Sequence, residues 1–347
     1  MNPGVRRVAV LTLGGTIAGS RLGGGTGVVP TLDPADLLAA VPGLEASGID
    51  LELHDVRRLP GPSLRFADLG DLYRQVAERL AAGSVHGAVV TQGTDTIEET
   101  CYLLDLLHGA APSGVAEAPL VVTGAMRNPA LPGADGPANL LAAIQTAAST
   151  AACGLGCVVV FADEVHAARW VRKTHSSSIT AFSSPNAGPI GHVSEGCVGI
   201  WAQPPRVRIP ALERLADASA MDGTRVALAS MALGDDGPLL AGADLDGVVV
   251  AGFGTGHVPS WLVGHLEALA GRVPVVLASR TGAGPVTTST YAYPGSESDL
   301  LARGLVSAGY LDPYKARILL KALLAAGAAR TEITDAFAVA GALGEVP

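Results

Sequence analysis

The chain has no apolar run long enough to cross a bilayer. Although 48% of its 347 residues are apolar, no stretch of ~18 or more is uninterrupted, which excludes a conventional transmembrane helix. The apolar character is spread as Ala, Val, Leu and Gly, and that suits a large buried sheet covered by Ala-rich helices. Charge is scarce, at 16%, and the balance of 23 basic against 32 acidic side chains leaves a net charge of −9. With no basic stripe to follow a phosphate backbone, nucleic acid is not expected as a partner. Cysteine is limited to Cys101, Cys153, Cys157 and Cys197. Cys153 and Cys157 stand four apart with glycines between, and no pair has zinc-finger spacing, so no metal is expected and the four read as buried thiols. The opening MNPGVRR runs into a strand without an apolar signal segment or cleavage site, which reads as a cytoplasmic location.

The length exceeds what one ordinary core organises, so two domains are expected. The stretch everything else is arranged around is Val8 to Gly19, VAVLTLGGTIAG. Val8, Val10, Leu11 and Leu13 make a buried strand. It ends in Gly14-Gly15, where the backbone can turn sharply and come close to something else, and then offers the hydroxyl of Thr16, placed to meet a ligand. In open α/β sheets ligands bind at the carboxyl ends of the strands. Ser20 to Val29, SRLGGGTGVV, is glycine-rich and follows the candidate reactive residue as a lid would; a plain surface linker is the other reading.

Asp33-Pro34-Ala35-Asp36 reads as a helix start, Leu51 to Val56 as a strand, and Pro60-Gly61-Pro62-Ser63 as a turn before a helix over 67–82, with Ser63 as its cap. His86 to Gln92 is a second buried strand. It repeats the first setting: strand, Gly93, then Thr94 and Asp95, with Thr96 and Glu99 spaced as a capping box for the following helix. Leu120 to Thr123 and Cys157 to Ala162 are further strands, with a helix opening at Pro137. Lys173 stands out in so weakly charged a sequence, either as a surface lysine or as a working one. Ser183 to Arg208 is rich in Pro, Gly and Ser without helical period. The fold class is α/β in two domains: a larger N-terminal one with a mixed sheet over 1–203, a linker over 204–220, and a smaller one over 221–347. The smaller domain shows a βαβ rhythm and a parallel sheet, with strands at 225–230, 247–252 and 275–279 and helices over 260–270 and 314–325. Neither GGTIAG nor GFGTGH completes a dinucleotide fingerprint, and no cofactor is expected.

Leu13–Gly19 and Gln92–Thr100 resemble the two signature segments of bacterial-type L-asparaginases. Thr123–Arg127 with Ala134–Leu140, then Arg172–Thr174, then Leu311–Pro313 with Lys315–Arg317 and Leu319-Leu320, resemble further blocks of that family in the same order, over about residues 8 to 325. The resemblance implies hydrolysis of the asparagine side-chain amide through a threonine acyl-enzyme. Thr16 is then the nucleophile, and Thr94, Asp95 and Lys173 are the second catalytic cluster. Oxyanion donors lie in the Gly93-Thr94 turn and at Ala125. Gly15 and Leu64 border the substrate, Asp95 takes its amino group and Ser63 its carboxylate. The chemistry fits those types: a threonine hydroxyl needs a base or charged relay, and a lysine paired with an aspartate can shuttle its proton. The resemblance also implies a homotetramer, a dimer of dimers in which each site is completed by the C-terminal domain of a neighbouring copy through His257 and Glu297. Glu297 reads equally as a helix start. The family's lid tyrosine is absent here, and Tyr291 and Tyr293 are the nearest substitutes. Leu64 stands where many members have a polar residue, so asparagine and glutamine selectivity is not legible. A glutaminase, the ammonia-generating subunit of a transfer-RNA amidotransferase, and a non-catalytic amino-acid sensor are the alternatives. The chain's start at the first strand argues against the amidotransferase subunit, and retention of Thr16, Thr94, Asp95 and Lys173 together argues against the sensor.

Overall fold

A computed structural model describes residues 5–15, 17, 19–21, 28–30, 41–215, 217–237 and 244–343. Thr16, most of the glycine-rich segment and the helix expected from Asp33 lie outside these residues. The chain forms two compact units, Met1–Arg206 and Val207–Pro347.

The first unit is built on an eight-stranded mixed sheet, as its pattern leads one to expect. Five parallel strands form its heart: β1 (Arg7–Thr12), with the short β2 (Gly19–Arg21) and β3 (Val28–Pro30) pairing apart from it, β4 (Asp50–Asp55), β5 (Gly87–Thr91), β6 (Leu120–Thr123) and β7 (Cys157–Phe161). They stand in the order β4-β1-β5-β6-β7. The β-branched runs of β5, β6 and β7 are buried throughout, as strands covered on both faces must be. Because β1 is flanked by β4 on one side and β5 on the other, the chain reverses its direction of travel across the sheet there. The crevice outside the carboxyl ends of β1 and β5 is therefore the topological switch point.

The sheet then continues antiparallel through β8 (Glu164–Ala167). The hairpin between β7 and β8 turns on Ala162 and Asp163, both with positive φ, the pattern of a two-residue turn matched to strand twist. After the two-residue strands β9 (Arg172–Lys173) and β10 (Phe182–Ser183), a second such hairpin at Glu195-Gly196 joins β11 (Gly191–Ser194) to β12 (Cys197–Ile200) at the sheet edge. The stretch from Ser183, which shows no helical period in sequence, thus carries strand structure. Helices α1 (Phe66–Ala81), α2 (Ile97–Ala110), the one-turn α3 (Ser113–Ala116) and α4 (Gly136–Ala148) cover the strands. The small side chains of α4 (Ala142, Ala143, Ala147) are all buried and let it lie against β5, β6 and β7. Cys101 and Cys157 are buried, but Cys153 and Cys197 are exposed; the latter pair falls on the loop after α4 and on the edge strand, which leave a side chain uncovered.

The second unit holds a parallel four-stranded sheet in the order β13 (Val226–Ser230), β14 (Gly247–Gly252), β15 (Val275–Ser279), β16 (Val306–Ser307). Val248, Val250, Leu266, Leu277 and Leu300 are among the residues of its core. Its helices are α5 (Val263–Ala270), α6 (Glu297–Ala302), α7 (Pro313–Ala325) and α8 (Arg330–Ala340). Asp312 caps α7 by accepting from the Tyr314 and Lys315 amides. No described helix is long and apolar enough to cross a membrane.

His108 on α2 is fully buried, with Nε2 donating to the Ala118 carbonyl at 2.9 Å. Burial disfavours its charged form and pulls its pKa down to about 4. The unfolded chain therefore takes up a proton near pH 6.5 that the folded chain refuses until about pH 4. The stability that the neutral His108 contributes is whole above pH 6.5 and falls by about 3 kcal/mol as the pH drops through that window. The gap in urea-unfolding free energy between wild type and His108→Gln, which keeps an N–H donor for Ala118 and cannot titrate, is expected to move in the variant's favour by about 2–3 kcal/mol between pH 7.5 and pH 4.5; buried Asp105, whose pKa is raised to about 6, acts in the opposite sense in both proteins and cancels in the comparison.

Candidate active site

The site begins with glycines. Gly14 and Gly15 follow β1 with φ of 97° and 90°, a region open to glycine and costly for other residues. A methyl group on Gly15 would lie 2.1 Å from the Gly93 amide nitrogen, and one on Gly14 would lie 2.8 Å from the Leu59 nitrogen. Three turns, after β1, after β4 and after β5, therefore meet backbone to backbone. Gly61 belongs to the same packing, since a methyl there would meet the Gly93 carbonyl at 3.1 Å. The Thr96 hydroxyl donates to the Gly61 carbonyl (3.3 Å) and accepts from Gln92 Nε2 (3.2 Å). It makes no cap bond to its own helix, so the expected capping box at Thr96 and Glu99 does not form; the hydroxyl is used to tie two turns together instead.

Gly93 leads into a single 3₁₀ turn, Thr94–Thr96, that continues directly as α2. Thr94 is buried and Asp95 is exposed. Lys173 arrives from β9, far along the chain. Its Nζ donates to Thr94 Oγ1 at 2.9 Å and to Asp95 Oδ1 at 2.6 Å. The expected cluster of Thr94, Asp95 and Lys173 is thus in hydrogen-bond contact. The ion pair is not a buried one, because the Asp95 side chain is 63% exposed against 13% for Lys173. Such a pair orients the amine more than it stabilises the fold.

Ser63 closes the 3₁₀ turn Gly61–Ser63 and is exposed, with Leu64 half-buried beside it. Ser63 does not occupy the cap of α1: Arg65 holds the N-cap position, and its amide is satisfied by Asp68 Oδ2 at 3.0 Å. Ala125, buried at the end of β6, lies on a loop clamped by two side chains that the sequence does not advertise. Asp135 accepts from the Met126 and Arg127 amides (2.9 and 2.8 Å). Asn139, one helical turn later, donates to the Gly124 carbonyl (3.0 Å) and accepts from the Ala162 amide (2.9 Å). The spacing of four that puts both residues on one helix face is the signal the sequence offers for this clamp. Glu98 also escapes a reading of the sequence; its Oε2 accepts from the Lys173 amide at 3.1 Å.

In the second unit His257 and Glu297 are in contact. Glu297 is fully buried. Burial alone would raise its pKa, but the amides of Tyr291 and Thr290 donate to Oε1 (2.8 and 2.9 Å) and hold it below the ordinary carboxylate value. Its Oε2 accepts from His257 Nε2 at 3.1 Å, and His257 Nδ1 is in hydrogen-bond contact with the Tyr293 hydroxyl at 2.9 Å. The Tyr291 ring stands edge-on to His257 with centroids 4.9 Å apart. Glu297 is also the first residue of α6, as its reading as a helix start expects. No described group of three or more His, Cys, Asp or Glu side chains has the arrangement of a metal site.

Residues 7–206 match the family model described as Asparaginase, N-terminal, and residues 225–337 match the Glutaminase/Asparaginase C-terminal domain. The chain is similar to a probable L-asparaginase of Deinococcus radiodurans, 38% identical over 95% of this chain and 97% of that one. It is similar also to an L-asparaginase of Bacillus licheniformis, 32% identical over 92% and 96%. Among solved structures it resembles a probable cytoplasmic L-asparaginase from Campylobacter jejuni, with a TM-score of 0.81 and 30% identity over 96% of this chain and 99% of that one.

The backbone packing makes a direct prediction. Gly15→Ala must displace the Gly93 turn, whereas Gly43→Ala, also at positive φ but with nothing within 4 Å, meets only conformational strain. Gly43→Ala is expected to cost about 1–2 kcal/mol and Gly15→Ala distinctly more, read as the difference in chemical unfolding free energy.

Proposed function

This chain belongs to the asparaginase family, and on that premise we propose that it hydrolyses the side-chain amide of L-asparagine to L-aspartate and ammonia. The observation that carries this reading is the Lys173 amine, held between the Thr94 hydroxyl and the Asp95 carboxylate at the carboxyl end of β5. That turn is packed against the one that leads to Thr16.

In the proposed reaction the Thr16 oxygen attacks the amide carbon and ammonia leaves an acyl-threonine, which water then hydrolyses to free the hydroxyl again. A threonine hydroxyl is a weak nucleophile at neutral pH. Lys173, with Thr94 as the intervening hydroxyl, provides a route for the proton, and the oriented amides of the Gly93-Thr94 turn and Ala125 supply donors for the oxyanion. The clamps on the Ala125 loop and on Gly61 support this reading, because such donors work only when fixed before the charge develops. Asp95 receives the substrate's amino group and Ser63 its carboxylate, bordered by Gly15 and Leu64. His257 and Glu297 of a neighbouring copy complete the site in a homotetramer. We place the protein in the cytoplasm, a reading supported by the name of the Campylobacter neighbour. Glutamine is the second substrate to consider, since the C-terminal family model covers both activities; one methylene is worth only about 1–3 kcal/mol in a pocket.

Ammonia release from L-asparagine and L-glutamine, measured side by side, tests the proposal. Wild-type protein is expected to turn over asparagine. Thr16→Ala is expected to abolish turnover while leaving aspartate binding within a few-fold, because binding and transition-state stabilisation are separable. Thr94→Val is expected to lower kcat by about 10²–10⁴-fold. A Thr16→Ala protein with most of its activity intact removes Thr16 from the mechanism.

A further inference from the structure

We infer that Glu98 is a positioning residue for the Lys173 amine, acting through the lysine's backbone. The inference rests on the reading above in which Lys173 takes part in the chemistry. Its structural basis is that one short segment grips Lys173 at both ends. Thr94 and Asp95 accept from Nζ, while Glu98, three residues after Asp95 and in the first turn of α2, accepts from the Lys173 N–H at 3.1 Å. The side chain of Lys173 is thereby stretched between two points on a single rigid turn-and-helix unit.

The strand that carries the lysine is weakly held by its own pairing. β9 is two residues long and pairs with the equally short β10, Phe182 to Lys173 and Ser183 to Arg172. Glu98 is nine-tenths buried, so its oxygen is not diverted to solvent. Arg172 Nε lies 4.0 Å from the same Oε2, which supplies a counter-charge for burying a carboxylate there. A shift of about 1 Å in a reacting group can cost about 10²-fold in rate. What matters is the reach of the acceptor; its charge serves mainly to pair with Arg172.

Two variants separate reach from charge. Glu98→Gln keeps an oxygen at the same distance and loses the charge. Glu98→Asp keeps the charge and draws the carboxylate back by one methylene. Glu98→Gln is expected to retain kcat for asparagine within about threefold, and Glu98→Asp to lose about 10–100-fold in kcat with KM changed by no more than about twofold. The reverse ranking, or an Asp variant with unchanged kcat, or equal losses in kcat and KM, overturns the inference.

A second readout needs no substrate. The chain contains only three lysines, Lys173, Lys315 and Lys321, and the last two are buried. Trace acetylation of the native protein with acetic anhydride, read by peptide mass spectrometry, therefore reports on Lys173 beside two protected controls. Glu98→Asp is expected to raise Lys173 labelling several-fold over wild type and Glu98→Gln to leave it unchanged; equal labelling in all three overturns the inference. If wild-type protein releases no ammonia from asparagine, the proposed function fails, and the labelling still decides whether Glu98 holds the amine in place.

Discussion

The constraint on which the candidate site depends is steric: two backbones share space that admits no side chain. Gly15 and Gly93 pack against one another so closely that a single methyl group would collide with an amide nitrogen. The arrangement of the candidate site follows from that proximity. It brings the ends of β1 and β5 together at the switch point of the sheet, and it fixes the Thr94 turn relative to the segment carrying Thr16. It also makes room for the Gly61 turn to join them, tied by the Thr96 hydroxyl. Parallel strands deliver their carboxyl ends to one edge in any case; the glycines convert a shared edge into a shared site.

The second recurring device is a side chain spent on holding backbone. Asp135 and Asn139 pin the loop after β6, Asp68 holds the start of α1, and Glu98 holds β9. Loops such as these would otherwise be the mobile parts of the fold. Carboxylates and amides reaching over from adjacent helices give these loops fixed partners, and an electrostatic site depends on such preorganisation. In the C-terminal unit the same logic orders Glu297, whose buried charge is met by two backbone amides and an imidazole.

Local pattern reveals the fold and the cluster because both are written in short stretches. β1, β5, β6 and β7 are apolar runs, and Gln92–Thr96 carries its hydroxyls and carboxylate in nearly consecutive positions. The hairpins on Ala162-Asp163 and Glu195-Gly196 stay hidden because Ala, Asp and Glu do not announce positive φ as Asn-Gly does. Helix α8 escapes because RTEITDAFAVA mixes threonine and alanine with few large apolar residues, and only Ile333, Ala336, Phe337 and Ala340 are buried along it. Sequence gives Thr96 and Ser63 to the nearest helix, since it shows neighbours along the chain and not across it. The Thr96 hydroxyl finds its acceptor on a segment 35 residues away. Glu98 and Glu99 look alike in sequence; only the fold gives Glu98 the Lys173 amide.

The bond between Lys173 and Thr94 joins residues 79 positions apart, and β1 must await β5 before its second edge is filled. Contacts of such long range slow folding, because the chain closes a large loop before any of them forms. On the ribosome this sets a schedule. The strands β1, β4, β5 and β6 can pair in the order in which they emerge, yet the site has no lysine until residue 173 has left the exit tunnel. By then most of the N-terminal unit has been synthesised and the C-terminal unit has not. Synthesis at about 5–20 residues per second gives the first unit several seconds to assemble its cluster before the second is complete.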